Sequence, residues 1–269
     1  MSKGAQLKRT LAPIISNDEI MLGVYLLWAK APAIAAAARP GQFVMVRTSD
    51  GYNPLLRRPL SIHRVKDNGE IALLYDVVGK GTEWLSQRRV GQNIDLLGPL
   101  GNGFAVDSHN LLLVAGGCGV APLAFLADVT LSEGRRVALL YGADTAERIF
   151  PEGQLPHGLL TIATTEDGSL GRRGLATDFI AEAMALLTQT SIDTAIHDSK
   201  IQIFACGPND MYRAINENNS LKGIAVQVSL EARMGCGLGL CYGCTIETRQ
   251  GLKRVCRDGP VFDLTQLLL

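Results

Sequence analysis

Four cysteines near the C-terminus constrain this chain more than any other feature. Cys236, Cys241, Cys244 and Cys256 stand as C-x4-C-x2-C-x11-C within MGCGLGLCYGCTIETRQGLKRVCRDGPVF. Three bunched cysteines followed by a distant fourth is plant-type spacing for a [2Fe–2S] cluster, whose irons are held by four thiolates. A chain that wraps a cluster needs positive φ angles and close backbone approach, and Gly235, Gly237, Gly239 and Gly243 offer both. Amide N–H groups left free in such a loop can point at the cluster sulfurs. Zinc is the first alternative, although zinc sites usually present two short C-x2-4-C pairs. Disulfides are the second, and they suit secreted chains. The start, MSKGAQLKRTLAPIISNDEI, lacks the apolar region of a signal peptide.

A length of 269 residues points to two domains and a small appendage. The formal net charge is zero, so no basic excess argues for nucleic acid and no block of like charges argues for a tail. The stretch from Ile20 to Ala38 is interrupted by Lys30 and Pro32, which argues against a membrane span. Six cysteines, four of them in one motif, fit a reducing cytoplasm. VYLLWA, GQFVMVRTS, LSIHRV, EIALLYDVV and QNIDLLG read as short strands separated by turn signals, the pattern of an antiparallel barrel or sandwich. From about residue 109 strands alternate with helices. NLLLVAGG, RRVALLYGA, GLLTIATT and IQIFACG are strands; Ala121 to Glu133, Ala176 to Leu187 and a segment opening at Pro208 are helices. That alternation means a parallel α/β layer. The expected architecture is multi-domain β plus α/β: a β-barrel over 1–106, a doubly wound parallel-sheet nucleotide domain over 107–226, and a cluster-binding segment over 227–269.

Several short segments have the make-up of cofactor sites. AGGCGVAP follows an apolar strand and precedes a helix, so Gly116, Gly117 and Gly119 would let a pyrophosphate approach a helix N-terminus. Packing glycines in a tight turn would look the same. Cys206-Gly207-Pro208 ends a later strand, and two such strand ends form the crevice where nucleotides bind in parallel sheets. Cys206 would then sit at a nicotinamide edge, or be a small buried residue; Cys118 reads as a packing residue. In the barrel, Arg58-Pro59-Leu60-Ser61 opens a strand, and a guanidinium there suits a diphosphate. Gly79-Lys80-Gly81-Thr82 forms a second backbone nest ahead of a helix expected over Thr82 to Ser86. Tyr75 and Val77, on the strand between, would line a flavin or adenine face or simply pack in the core.

Together these segments resemble the ferredoxin–NADP reductase superfamily, whose motifs are met by Arg58–Ser61, Gly79–Thr82, Gly116–Pro122 and Cys206–Pro208. With EARMGCGLGLCYGC…RVCRDGPVF added, the resemblance narrows to the electron-transfer subunits of bacterial NAD-linked dihydroorotate dehydrogenase B, and it covers essentially the whole chain. The resemblance implies FAD, one [2Fe–2S] cluster and NAD(H). It also implies a partner, an FMN-containing dihydroorotate dehydrogenase catalytic subunit, in a heterotetramer with two subunits of each kind. TTEDGSLGRRG, residues 164–174, resembles the same subgroup. Glu166 or Asp167 would meet the adenosine ribose of NAD and repel a 2′-phosphate, while Arg172 and Arg173 pull the other way.

A hydride delivers two electrons together and an iron–sulfur cluster takes one, so a flavin is the expected converter between them. That chemistry requires no general acid or base, and none of His63, His109, His157 and His197 is assigned to catalysis. His63, two residues beyond the flavin motif, is expected to be exposed on its strand. Other readings are an oxygenase reductase, a bifurcating ferredoxin–NADP reductase subunit, or a non-catalytic zinc-binding NAD sensor. An oxygenase reductase carries a ferredoxin module too large for the residues after the nucleotide domain. The bifurcating family replaces one cluster thiolate, and this chain keeps all four. A sensor would not need a second phosphate site in the barrel.

Overall fold

The structure, a computed structural model, describes residues 8–189 and 200–269. His197 lies outside the described residues. Six antiparallel strands close a barrel: β1 (Lys8–Met21), β2 (Val24–Lys30), β3 (Phe43–Val46), β4 (Arg58–Val65), β5 (Glu70–Asp76) and β6 (Asn93–Leu100), in the order β1-β2-β5-β4-β3-β6. Val44, Val46, Ile62, Leu73, Ile94 and Leu96 fill it, each fully buried. β1 was not among the strands expected from sequence. It is long enough to pair with β6 through residues 8–13 and with β2 from Ile14 onward, which is how the barrel closes. Two short helices join barrel strands: α1 (Pro32–Ala35) and α2 (Lys80–Ser86), the latter starting two residues before the expected Thr82.

The second unit is a seven-stranded sheet built on β7 (Asn110–Gly116), β8 (Arg136–Ala143), β9 (Leu160–Thr165), β10 (Arg172–Arg173), β11 (Ile201–Cys206) and β12 (Val226–Ser229), ordered β10-β9-β8-β7-β11-β12 and parallel throughout. The continuous apolar runs of β7 and β11 follow from burial of both sheet faces. Three helices cover it: α3 (Val120–Ser132), α4 (Ile180–Gln189) and α5 (Asn209–Glu217). α3 is apolar almost all round because it is wedged between both units. Its Phe125 joins the barrel core, while Leu123 and Leu126 pack on the sheet. Each such fully buried side chain stabilises by about 1.5–3 kcal/mol.

The C-terminal segment forms a hairpin, β13 (Thr245–Thr248) with β14 (Gly251–Arg254), one helical turn α6 (Val255–Asp258), and β15 (Val261–Asp263). β15 adds antiparallel to β12, as the seventh strand of the nucleotide sheet. An expected boundary at 226/227 therefore falls inside β12, and the tail finishes as part of the sheet. Cys244, Val255 and Cys256 share one core with Phe43, Met45 and Leu100 of the barrel. Among the described residues, no helix is long and apolar enough to cross a membrane.

Candidate functional site: two clefts and a cysteine loop

Where barrel, sheet and tail meet, a cleft of about 890 Å³ opens. Arg58, Pro59, Leu60 and Ser61 line it from β4, Tyr75 from β5, and Thr82 from α2. Gly116 closes it at the sheet edge with Gly207 and Pro208, which follow β11 directly. A second cleft of about 550 Å³ lies over the sheet between Gly116, Gly117, Gly142, Thr164, Glu166 and Pro208. Gly116, Cys118 and Pro208 line both, so the two clefts share one wall.

Most of the sequence-predicted residues thus converge, while Val77, Gly79, Lys80, Gly81, Gly119 and Cys206 line neither cleft. Val77 packs against the barrel core and its neighbour Val78 faces the cleft. Cys206 is 2% exposed and forms no part of either cleft lining; burial pushes its thiol well up, beside Glu231, Ser229 and Tyr212. His63, expected on an exposed strand face, is fully buried because α3 covers that side of the barrel. Tyr75 is buried too, its hydroxyl donating to Asn17 Oδ1 at 2.8 Å. Gly79 and Lys80 are exposed at the start of α2. Thr82 braces that loop: its hydroxyl accepts from Val78 N–H at 3.0 Å and faces Gly79 O at 3.2 Å.

Gly119 marks the tightest approach between the two strand ends. A Cβ there would stand 1.9 Å from Cys206 O, so only glycine lets the start of α3 meet the end of β11. Glu231, just beyond β12, also lines the larger cleft and belongs to none of the sequence motifs. Desolvation by the surrounding protein, with Asp76 second, raises its carboxyl above the ordinary range. Its one sequence signal is its position two residues after a strand end in the same sheet as Cys206.

On the barrel side of the larger cleft Arg58 offers a guanidinium that suits a diphosphate, while Thr48 and Gly81, against which it packs, line neither cleft. A Cβ on Gly81 would lie 2.8 Å from both Arg58 Nε and Thr48 Oγ1, so a guanidinium and a hydroxyl converge on the bare backbone of α2. Thr48 is fully buried and Oγ1 has no hydrogen-bond partner in the protein. Buried hydroxyls are nearly always paired, so one without a protein partner stands out. The smaller cleft repeats the pattern. Thr164 Oγ1 is buried and unpartnered, facing the spot a Gly142 side chain would fill.

The cysteine loop is held in two pairs. Cys236 lies beside Cys241, and Cys244 beside Cys256. Each sulfur receives a backbone N–H: Leu238 and Leu240 to Cys236 Sγ (3.3 and 3.4 Å), Gly243 to Cys241 Sγ (3.5 Å), Cys256 to Cys244 Sγ (3.4 Å) and Gly239 to Cys256 Sγ (3.1 Å). Desolvation opposes ionisation of Cys236, but the amides outweigh it and bring the thiol down to about 6. Burial, with Cys244 alongside, pushes Cys256 up to about 12. Two neighbouring thiolates need a cation between them, so each pair fits a metal ion. Among the described residues no group of three or more His, Cys, Asp or Glu side chains is disposed to hold one metal ion. Two pairs suit a two-iron cluster better than a single tetrahedral zinc. Gly237, at φ +71, brings the loop onto the barrel, where a Cβ would collide with Met45 Cγ at 2.5 Å.

A barrel joined to a parallel sheet across a shared pair of clefts defines a reductase of the ferredoxin–NADP reductase fold. The ferredoxin–NADP reductase of Neisseria gonorrhoeae, solved with bound FAD and NADP, aligns over 84% of this chain and 100% of its own at TM-score 0.62 and 15% identity. The NADH-dependent reduced ferredoxin–NADP oxidoreductase studied for flavin-based electron bifurcation aligns over 99% of this chain and 91% of its own, at TM-score 0.79 and 28% identity. The iron–sulfur cluster binding domain of dihydroorotate dehydrogenase B matches residues 231–268. The dihydroorotate dehydrogenase B (NAD(+)) electron transfer subunit of Geobacillus sp. (strain WCH70) is 37% identical over 98% of this chain and 100% of its own length. That of Bacillus mycoides (strain KBAB4) is 35% identical over 95% and 97%. The chain belongs to the family of dihydroorotate dehydrogenase B electron transfer subunits.

Proposed function

We propose that this chain exchanges electrons between NAD(H) and a partner subunit, through FAD in the larger cleft and a [2Fe–2S] cluster in the cysteine loop. The partner is an FMN-containing dihydroorotate dehydrogenase catalytic subunit, joined in a heterotetramer with two subunits of each kind and working in a reducing cytoplasm. On this reading the chain divides into a FAD-binding barrel (1–106), a NAD-binding domain that runs from 107 to the end of β12 and is completed by β15, and a cluster segment between those two strands. The observation that carries it is the wall common to both clefts: Gly116, Cys118 and Pro208 line the one and the other.

Bound together, a flavin and an iron–sulfur cluster supply the conversion between a two-electron hydride and single electrons. The protein's task is to bind, orient and shield. Arg58 would hold the flavin diphosphate, and its Nη1 is steadied by the Leu56 carbonyl at 2.7 Å. Ser61 and Tyr75 border the ring position from β4 and β5. Gly116 and Gly117 would admit the nicotinamide nucleotide between β7 and α3, with Pro208 on the opposite wall, while Gly119 serves the close packing of α3 on β11. Glu166 lines the smaller cleft, where its carboxylate would favour a free ribose hydroxyl over a phosphate. In the cysteine loop the directed amides stabilise sulfur charge. An anaerobic visible spectrum of the purified chain, before and after NADH, tests the reading. Flavin and iron–sulfur bands that bleach are expected; a colourless protein with a full complement of zinc would overturn it in favour of a non-catalytic scaffold.

A further inference from the structure

β4 serves two neighbours at once. Its first four residues line the flavin cleft, and its next polar side chains reach off the barrel to α3. His63 is fully buried, with Nδ1 3.1 Å from the Ala121 carbonyl oxygen. A carbonyl only accepts, so Nδ1 bears the proton and Nε2 is left bare. Nε2 has no hydrogen-bond partner, and the nearby ring of Phe150 offers it none. Burial, against a small opposing pull from the Ala121 carbonyl, lowers the ring's pKa to about 4, so it stays neutral. One residue on, Arg64 Nε and Nη2 each lie 2.6 Å from the two carboxylate oxygens of Asp128. β4 therefore grips α3 at its first turn and again two turns later, fixing both its position and its tilt.

Ala121 itself lines the flavin cleft, two residues past Gly119. An aliphatic side chain would fill the setting of His63 without leaving a buried nitrogen unpaired, which lowers stability. The histidine supplies what an aliphatic residue cannot, a directed bond to the helix that carries the nucleotide turn. We propose that His63 is a positioning residue for hydride transfer: through Ala121 it sets the spacing between the flavin strand β4 and the Gly117–Gly119 turn. This rests on the reading of the two clefts as flavin and NAD sites.

The test compares His63→Leu, which lacks the donor, with His63→Asn, whose amide N–H replaces Nδ1–H, both as the full chain loaded with FAD and cluster. In H63L, flavin reduction at saturating NADH should slow by about ten- to hundredfold, the cost of a misplacement near 1 Å. The nicotinamide–flavin charge-transfer absorbance should fall in step. FAD content should not change, and the calorimetric Kd for NAD should shift by less than about threefold, since only the reacting geometry is altered. H63N should recover most of the rate and of the absorbance. A wild-type rate in H63L would overturn the proposal, as would an H63N as slow as H63L. If H63L does not fold, His63→Val takes its place, and failure of both aliphatic forms to fold would assign His63 to stability instead. Wild-type flavin that NADH cannot reduce would sink the parent reading, and this inference with it.

Discussion

Replacing Gly119 with alanine tests the geometry of the shared wall with a single methyl group. The new Cβ would lie 1.9 Å from Cys206 O, 2.4 Å from Cys206 C and 2.9 Å from Gly207 N, all backbone atoms that no rotamer change can move aside. Contact below 3.0 Å is not tolerated, so the start of α3 and the end of β11 must separate by at least about 1.1 Å. Overpacking of this kind costs about 1–3 kcal/mol, or roughly 2–4 °C of Tm per kcal/mol at this chain length. The larger effect is on rate, because the two segments forced apart are those that bring flavin and nicotinamide together. A displacement near 1 Å costs on the order of 10²-fold. The assay is anaerobic stopped-flow bleaching of the flavin by NADH, with chemical reduction of the cluster by dithionite as a control that should not change. Gly117 is the contrast: a Cβ there meets nothing within 4 Å, although φ is +52. Gly117→Ala should therefore lose about 1–2 kcal/mol to backbone strain without moving β11. A Gly119→Ala protein that bleaches within about threefold of wild type, with Tm unmoved, would refute the argument from close approach.

Three further outcomes are expected. Arg58→Ala should weaken FAD retention by about 1.5–3 kcal/mol, the worth of a hydrogen bond to a charged group; unchanged flavin content after gel filtration would remove Arg58 from the site. Cys241→Ser should lose iron and transfer to the partner while NADH still bleaches the flavin, and retained partner-dependent turnover would contradict the cluster assignment. Asp95 is 7% exposed and bridged by Arg9 and Arg57, each at 2.8 Å. Desolvation raises its carboxyl, but the bonds from Arg9 and Arg57 outweigh it and leave it below its ordinary value. Its contribution is therefore complete above the unfolded value near 3.9 and drains as pH falls through the lower folded value. Denaturation followed from pH 6 down to about pH 2 should show a shallower loss in Asp95→Asn, which is already weaker at pH 6 by about 2 kcal/mol; parallel curves would refute the pairing.

Four sheet strands (β7, β8, β9 and β11), the helices over them and five barrel strands are legible in the sequence because their apolar patterns are long and regular, whereas β10, β12 and β15 are too short to show one. β1 is not legible either. It changes partner near Ile14 and carries register shifts between Ile14 and Ser16 and between Glu19 and Met21, so no period of two survives. His63 misleads for a different reason. Alternation correctly sets Ile62 inward and His63 outward, but outward here means under α3, and alternation within a strand says nothing about what covers the barrel. The glycine, arginine and cysteine motifs of the site stand out because backbone approach and charge restrict the residue type. Thr48, Thr164 and Glu231 do not, since their significance lies in neighbours distant in sequence: Gly81, Gly142 and Asp76.

The cysteine loop leaves the sheet from β12 and returns to it at once. Ser229 pairs with Val261, and Leu230 N–H donates to the Pro260 carbonyl at 2.9 Å. Everything from 231 to 259 is thus an excursion whose entrance and exit lie one strand spacing apart, about 4.8 Å. A tight two-residue turn would bridge that gap and leave β12 and β15 as an ordinary hairpin at the sheet edge. In topological terms the segment is a detour: cut out at its two adjacent ends, it would leave every strand of the nucleotide sheet threaded as before.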